Sequence, residues 1–295
     1  MNAKTTEPTI RFDVAPQRYE GSMTAAQALS YAHATLDPVT VTDLDHQLPP
    51  MASTSLIFTA ANEALRVTVD AGAVVGAHGD EVPGVHAEHD MLVHRLLAPE
   101  EVVSWEATMR SARQTPAGVL LSVQVLIRDS HGAIVIEHLW STMMLKATTT
   151  HLHGPALPDH RFPDEARDHM LGAERLALAR DLGRRYGDAS GDEAGHAVSD
   201  EIARSEGYPS MILQGMCSLA ICSGAALRIA GGGDQSRLRR VAGRLSAPMV
   251  LGRDLTVSCF ELPTEATDRR SVVFEAHQGE TLCVAHGRVE LARSS

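Results

Sequence analysis

Between Tyr186 and Met216 the chain reads YGDASGDEAGHAVSDEIARSEGYPSMILQGM, and a group of residues able to do chemistry gathers there. A polar loop carries Asp192 and His196, a short helix follows, and Gly215 stands near the start of a long apolar helix. A loop carboxylate or imidazole can move protons. The amino end of a helix can hold a negatively charged oxygen on its free N–H groups. A polar loop set beside a helix-starting glycine therefore suggests a site.

The elements around this stretch must position it. The short helix is predicted over Asp200 to Glu206, with Ser199 as N-cap and Gly207 as stop. The long one runs from about Ile212 to Ala230 and ends at Gly231-Gly232-Gly233. Upstream, the spacing of Leu171, Leu176, Ala179 and Leu182 predicts a helix over Ala166 to Arg185. Downstream, strands are predicted at Leu238 to Leu245, Leu255 to Leu262, Ser271 to Ala276 and Thr281 to Leu291.

The amino-terminal half is less regular. A first helix is expected over Met23 to His33 behind Ser22 as N-cap. Residues 35–90 obey no single period: Leu56 to Leu65 suits helix or strand, and a glycine-rich loop spans Gly72 to Gly84. Strands follow at Met91 to Leu97, Val102 to Arg110, Val119 to Arg128 and Ile134 to Leu145, parted by turn residues such as Asp129-Ser130-His131-Gly132. Residues 147–164 lose periodicity and read as a linker. Two short echoes join the halves. Arg95-Leu96-Leu97-Ala98-Pro99 returns as Arg244-Leu245-Ser246-Ala247-Pro248, and His131-Gly132 before a strand returns as Gln278-Gly279. Their common order favours a duplicated α+β unit, in which a curved antiparallel sheet wraps a long helix.

Composition narrows the function classes. The chain has 295 residues, 44% of them apolar, so a large core can be buried. A net charge of −11, no basic run and few aromatic residues exclude a nucleic-acid surface. Met211 to Ala230 approaches membrane-spanning length, but Gln214, Arg228 and several serines make it a buried helix instead. Cys217, Cys222, Cys259 and Cys283 each lie in an apolar run without a CxxC pair and read as buried thiols. The amino terminus shows no signal-peptide pattern, so a cytoplasmic location is expected.

Taken together, Tyr186, Ser190-Gly191-Asp192, Glu201, Ala203, Gly207 and Ile212-Leu213-x-Gly215-Met216 resemble the signature of the MaoC-like, or type 2, enoyl-thioester hydratases. Leu245-Ser246-Ala247-Pro248-x-x-x-Gly252 and His286-Gly287-Arg288-Val289-Glu290-Leu291 are similar to later strands of that family. The resemblance covers roughly residues 20–292. It implies an α+β double hot-dog fold: a degenerate repeat over 20–146, a linker over 147–164, and a repeat carrying the motif over 165–292. It also implies an acyl thioester substrate on CoA or an acyl carrier protein, a homodimer, and no metal or organic cofactor. In such a site the motif's Asp and His share the water and proton work, and the N–H of the helix-starting glycine holds the thioester oxygen. Asp192 and Gly215 match those positions, with Tyr186, Ser190, Gln214 and Met216 expected against the substrate.

The sequence departs from the pattern at three polar positions. In ungapped register Ala194 replaces the motif's Asn, Gly195 its Pro and Ala197 its catalytic His, with His196 one place early. Gln214 replaces the His that precedes the glycine. Either the loop has shifted so that His196 reaches the water position, or the catalytic imidazole is gone. Three functions stay open: a hydratase or dehydratase of enoyl or 3-hydroxyacyl thioesters, a hot-dog enzyme turned to cyclisation or isomerisation of a polyketide-like intermediate, and a non-catalytic acyl-binding subunit. His86, His89 and His94 read as solvated histidines, only His94 falling within a predicted strand.

Overall fold

The computed structural model describes residues 7–76, 78–79, 82, 84–155, 157–262 and 268–293. Part of the expected Gly72 to Gly84 loop lies outside them. Five helices and ten strands follow in the order β1 (Arg18–Gly21), α1 (Ala25–Ala34), α2 (Ser53–Thr68), β2 (Gly84–Val93), β3 (Val103–Thr115), β4 (Gly118–Arg128), β5 (Ile134–Leu145), β6 (Met170–Ala177), α3 (Leu182–Ser190), α4 (Asp200–Ser205), α5 (Gly215–Gly231), β7 (Leu238–Leu245), β8 (Asp254–Leu262), β9 (Arg269–Gln278) and β10 (Thr281–Ala292) among the described residues. All ten strands share one antiparallel sheet, ordered β1-β3-β4-β5-β2-β7-β10-β9-β8-β6.

That order reads the same from either edge: an outer strand, then the third, fourth and fifth strands of each half, then the first strand after the long helix. The halves meet along β2 and β7, in register from Glu88↔Arg244 to Leu92↔Arg240. Both sequence echoes sit at corresponding places, one following β2 and closing β7, the other turning β4 into β5 and β9 into β10. Helix α2 packs on β3 and β4, and α5 on β6 to β10. Helix α5 is apolar on all sides and so can only be an interior helix, and Cys217, Leu219, Ile221, Cys222 and Ala225 are fully buried. Gly232 stops it in the left-handed conformation, its N–H closing on Leu227 O. No helix among the described residues is long and apolar enough to cross a membrane.

Several expectations change. The first helix is capped by Thr24, not Ser22, through a reciprocal box with Gln27. Leu56 to Leu65 is helix, and α5 begins at Gly215 rather than Ile212. The helix expected over Ala166 to Arg185 is mostly absent. Edge strand β6 occupies its middle, paired with β8, and α3 starts only at Leu182. Of the strand's inward positions, Gly172 lies close to Ile229 and Glu174 is bound to Arg228 of α5 at 3.0 Å, with only Leu176 apolar and large. A glycine and a buried-facing carboxylate hide the two-residue period that would have marked a strand. Residues 147–164 are also tied down more than a free linker would be. Thr148 and His153 bridge to Val75 and Ala112, His160 Nδ1–H donates to His286 O at 2.8 Å, and Phe162 N–H donates to His286 Nδ1 at 2.7 Å.

Strand β2 begins at Gly84, earlier than expected, which brings His86 and His89 into the sheet and overturns the reading of them as solvated. His89 and His138 of β5 are buried and form a chain with Ser53 at the head of α2. Its polarity follows from the one partner that can only accept. Ser53 O–H donates to Pro50 O at 2.7 Å, so Ser53 Oγ accepts from His138 Nε2–H at 3.2 Å, and His138 Nδ1 accepts from His89 Nε2–H at 3.0 Å. Burial pushes His138 down to about 3 and His89 well below the usual range, so both are neutral. Folding stability from these imidazoles is complete above pH 6.5 and declines as pH falls, because only the unfolded chain takes up the protons. At pH 5 the expected loss is roughly 2 kcal/mol for His138 alone. Urea midpoints measured from pH 8 to pH 5 should fall accordingly, and His138→Gln should flatten the slope.

Candidate functional site

A cavity of about 1730 Å³ opens beside the head of α5, with Asp192, His196, Glu206, Gln214, Gly215, Met216 and His86 in its wall. The Asp192 loop is set by what precedes it. Ser190 O–H donates to Tyr186 O at 2.7 Å, the Ser190 oxygen accepts from Asp192 N–H at 3.2 Å, and Gly191 takes the left-handed conformation that ends α3. Ser190 therefore shapes the turn. Tyr186 is buried against Tyr31 with ring centroids 5.7 Å apart. Neither lines the cavity, so the expected substrate contacts from these two are replaced by structural ones.

Asp192 is largely withdrawn from water. Burial raises its carboxyl to about 6, opposed by the nearby His196 imidazole. Such a carboxyl can both hold and release a proton near neutral pH.

A tight turn over Gly195–Ala197 presents His196 to the cavity. A Cβ on Gly195 would approach Ile202 Cγ2 to 2.9 Å, so glycine in place of the motif's proline lets the loop lie on α4. Ala197, at the motif's histidine position, is turned away from the cavity and fully buried, its Cβ 2.8 Å from where a Cβ on Gly183 would stand. A larger side chain there would strike α3. His196 Nδ1 pairs with Glu206 Oε2 at 2.8 Å and its ring stands edge-on to Tyr208 at 5.5 Å. The carboxylate orients the imidazole so that Nδ1 carries the proton and Nε2 is free. Glu206 was not anticipated: on the sequence it is simply the end of a short helix.

Gln214 explains how loop and helix stay together. Its amide nitrogen donates to Gly183 O at 2.9 Å and to Asp192 O at 3.0 Å, while its backbone carbonyl accepts from Ser218 N–H. Two carbonyl acceptors need two donors on one atom, which an amide has and a neutral imidazole lacks. Its Oε1 is buried without a hydrogen-bond partner among the described residues. Among the described residues no side chain caps α5, so the N–H groups of its first turn, beginning with Gly215, are open to an acceptor. Gly215 is tightly enclosed, because a Cβ there would come within 2.6 Å of Leu245 Cδ1 and 3.2 Å of His86 Cβ. Among the described residues no group of three or more His, Cys, Asp or Glu is arranged to hold a metal ion. Replacing Gln214 by Leu removes both of its hydrogen bonds to Gly183 O and Asp192 O. It should lower stability by about 1–3 kcal/mol and loosen the Asp192 loop. Denaturant titration and amide exchange at Asp192 and Glu193 check both.

Comparison with known proteins follows the same lines. No protein-family model and no curated protein matches the chain. Solved structures do. A MaoC-like dehydratase from Phytophthora capsici superposes with a TM-score of 0.78 at 20% identity, over 96% of this chain and 98% of the other. The peroxisomal multifunctional enzyme type 2 of Drosophila melanogaster gives 0.70 at 14% identity, over 94% of this chain and 48% of that larger one. A Mycobacterium tuberculosis protein described as having a double hot-dog fold gives 0.55 at 11% identity, over 95% and 97%. Over nearly its whole length, the chain has the fold of the MaoC-like dehydratases.

Proposed function

We propose that the chain is a hydro-lyase that adds water to, or removes it from, an acyl thioester, built as two hot-dog repeats of which the second carries the site. The observation that carries this reading is the convergence on one cavity of Asp192, the His196–Glu206 pair and the uncapped head of α5 at Gly215. Hydration of a 2-enoyl thioester needs a base for water at C3, a proton for C2, and donors for the oxygen that becomes enolate-like. Asp192 and His196 are suited to the chemistry at C3. The first-turn N–H groups of α5, with the helix dipole behind them, suit the oxygen. The volume accommodates an acyl chain and part of its carrier arm. A silent acyl-binding subunit would have no reason to set a half-buried carboxyl, an oriented imidazole and a helix amino terminus around one cavity.

Asp192→Asn provides the test. Turnover of crotonyl and longer enoyl thioesters should fall at least 1000-fold, while the protein gains stability. The sign of that gain follows from the raised carboxyl. Its favourable contribution is complete at low pH and is lost as pH rises through about 6, where the folded chain must bury a charge. At pH 8 the asparagine variant should therefore be more stable by on the order of 2 kcal/mol, the difference vanishing near pH 4. Glu206→Gln should lower kcat roughly 10- to 100-fold with little change in KM, as expected for loss of an orienting partner. Unchanged turnover in Asp192→Asn would remove the carboxyl from the mechanism.

A further inference from the structure

The two groups assigned to chemistry at C3 leave the proton at C2 without a carrier, and the other half of the chain holds a candidate. His86 of β2 lies against the glycine that heads α5: a Cβ on Gly215 would stand 3.5 Å from His86 Nδ1. A bulge between His86 and Glu88 interrupts the pairing of β2 with β5, a device that re-aims a side chain. The ring is fixed on both sides. It stacks on Trp140, with centroids 4.0 Å apart and planes 13° from parallel, and His89 stands edge-on at 5.5 Å.

Its tautomer is fixed as well. His86 Nε2 lies 3.1 Å from Glu88 O, and a carbonyl oxygen only accepts, so Nε2 carries the hydrogen. Nδ1 keeps its lone pair and has no hydrogen-bond partner among the described residues. Burial holds the ring down to about 4 and hence neutral at physiological pH. A neutral imidazole with an unpaired acceptor, clamped at the lip of a helix amino terminus and lining the cavity, is more than wall.

We propose that His86 is a catalytic residue of this site, the base that takes the C2 proton of a 3-hydroxyacyl thioester whose carbonyl oxygen rests on the first turn of α5. The role rests on the hydro-lyase reading. In dehydration the C2–H bond breaks, the proton goes to His86 Nδ1, and the electron pair moves to the thioester oxygen. The imidazolium then forms beside the enolate and the helix dipole holds the enolate oxygen, so the buried charges arise as a pair. Collapse of the enolate makes the C2–C3 double bond and breaks the C3–O bond. The hydroxyl leaves as water with a proton from Asp192, and the His86 proton returns to Asp192 through solvent. Hydration runs the same steps backwards. The half that looks degenerate thus supplies the proton carrier at C2.

Two measurements on the full chain separate this role from its alternatives: dehydration of 3-hydroxybutyryl-CoA, and deuterium exchange at C2 of butyryl-CoA in heavy water, which involves no chemistry at C3. His86→Gln should lose both by at least 100-fold, Asp192→Asn only the first. His86→Phe, which keeps the stack on Trp140, should match the glutamine variant while melting near the wild type. Dehydration by His86→Gln within about threefold of the wild type would overturn the proposal and leave the hydro-lyase reading standing. So would exchange that is absent from the wild type, or that Asp192→Asn loses as fully as His86→Gln. A wild type that dehydrates no 3-hydroxyacyl thioester would instead bring down the hydro-lyase reading and this role with it.

Discussion

The head of α5 depends on one side chain. The amide of Gln214 reaches back to Gly183 at the start of α3 and to Asp192 in the loop that follows, so one group joins three segments around one point. Its two donors tie the carbonyls of both residues to the head of the long helix, each hydrogen bond worth about 1 kcal/mol. The position of the Asp192 carboxyl relative to the free N–H groups of α5 follows from this clamp. Gln214, which departs from the MaoC-like pattern, is thus part of the architecture around the head of α5.

The same reasoning applies to the displaced histidine. Ala197, in the register where the motif has an imidazole, is fully buried against Gly183. Gly195 lets the turn drop onto α4, and His196 emerges one residue early, with Glu206 as its anchor. The changes at 197 and 214 both meet α3 at Gly183. On the other side of the cavity, the amino-terminal half contributes a chain of neutral groups, Ser53, His138 and His89, with His86 and Trp140 in front of it. The two buried imidazoles of that half are joined by one hydrogen bond, His89 Nε2–H to His138 Nδ1.

Much of this was legible in the sequence. The all-round apolar pattern of α5, the glycines that end it, the alternation of β4 and β5 and the two echoes carry the architecture, because each reflects a local periodicity that packing enforces. What escaped detection had its signal cancelled by a specific residue. Glu174 faces inward to meet Arg228, so β6 lacks its apolar alternation and four leucine and alanine positions mimic a helix. His86 and His89 sit in β2 among polar neighbours and look like a solvated turn, and only their tertiary partners show them to be interior. Glu206 is ten residues from His196 in sequence, and nothing short of the folded loop brings them together.

The central claim is that water is added across the double bond of an enoyl thioester bound at the head of α5. Incubating the full chain with crotonyl-CoA in oxygen-18 water and reading the product by mass spectrometry tests it most directly. The account predicts a 3-hydroxybutyryl thioester with the heavy oxygen on C3. Recovery of unlabelled, unchanged enoyl thioester, repeated across short and long acyl chains and with acyl carrier protein in place of CoA, would contradict it.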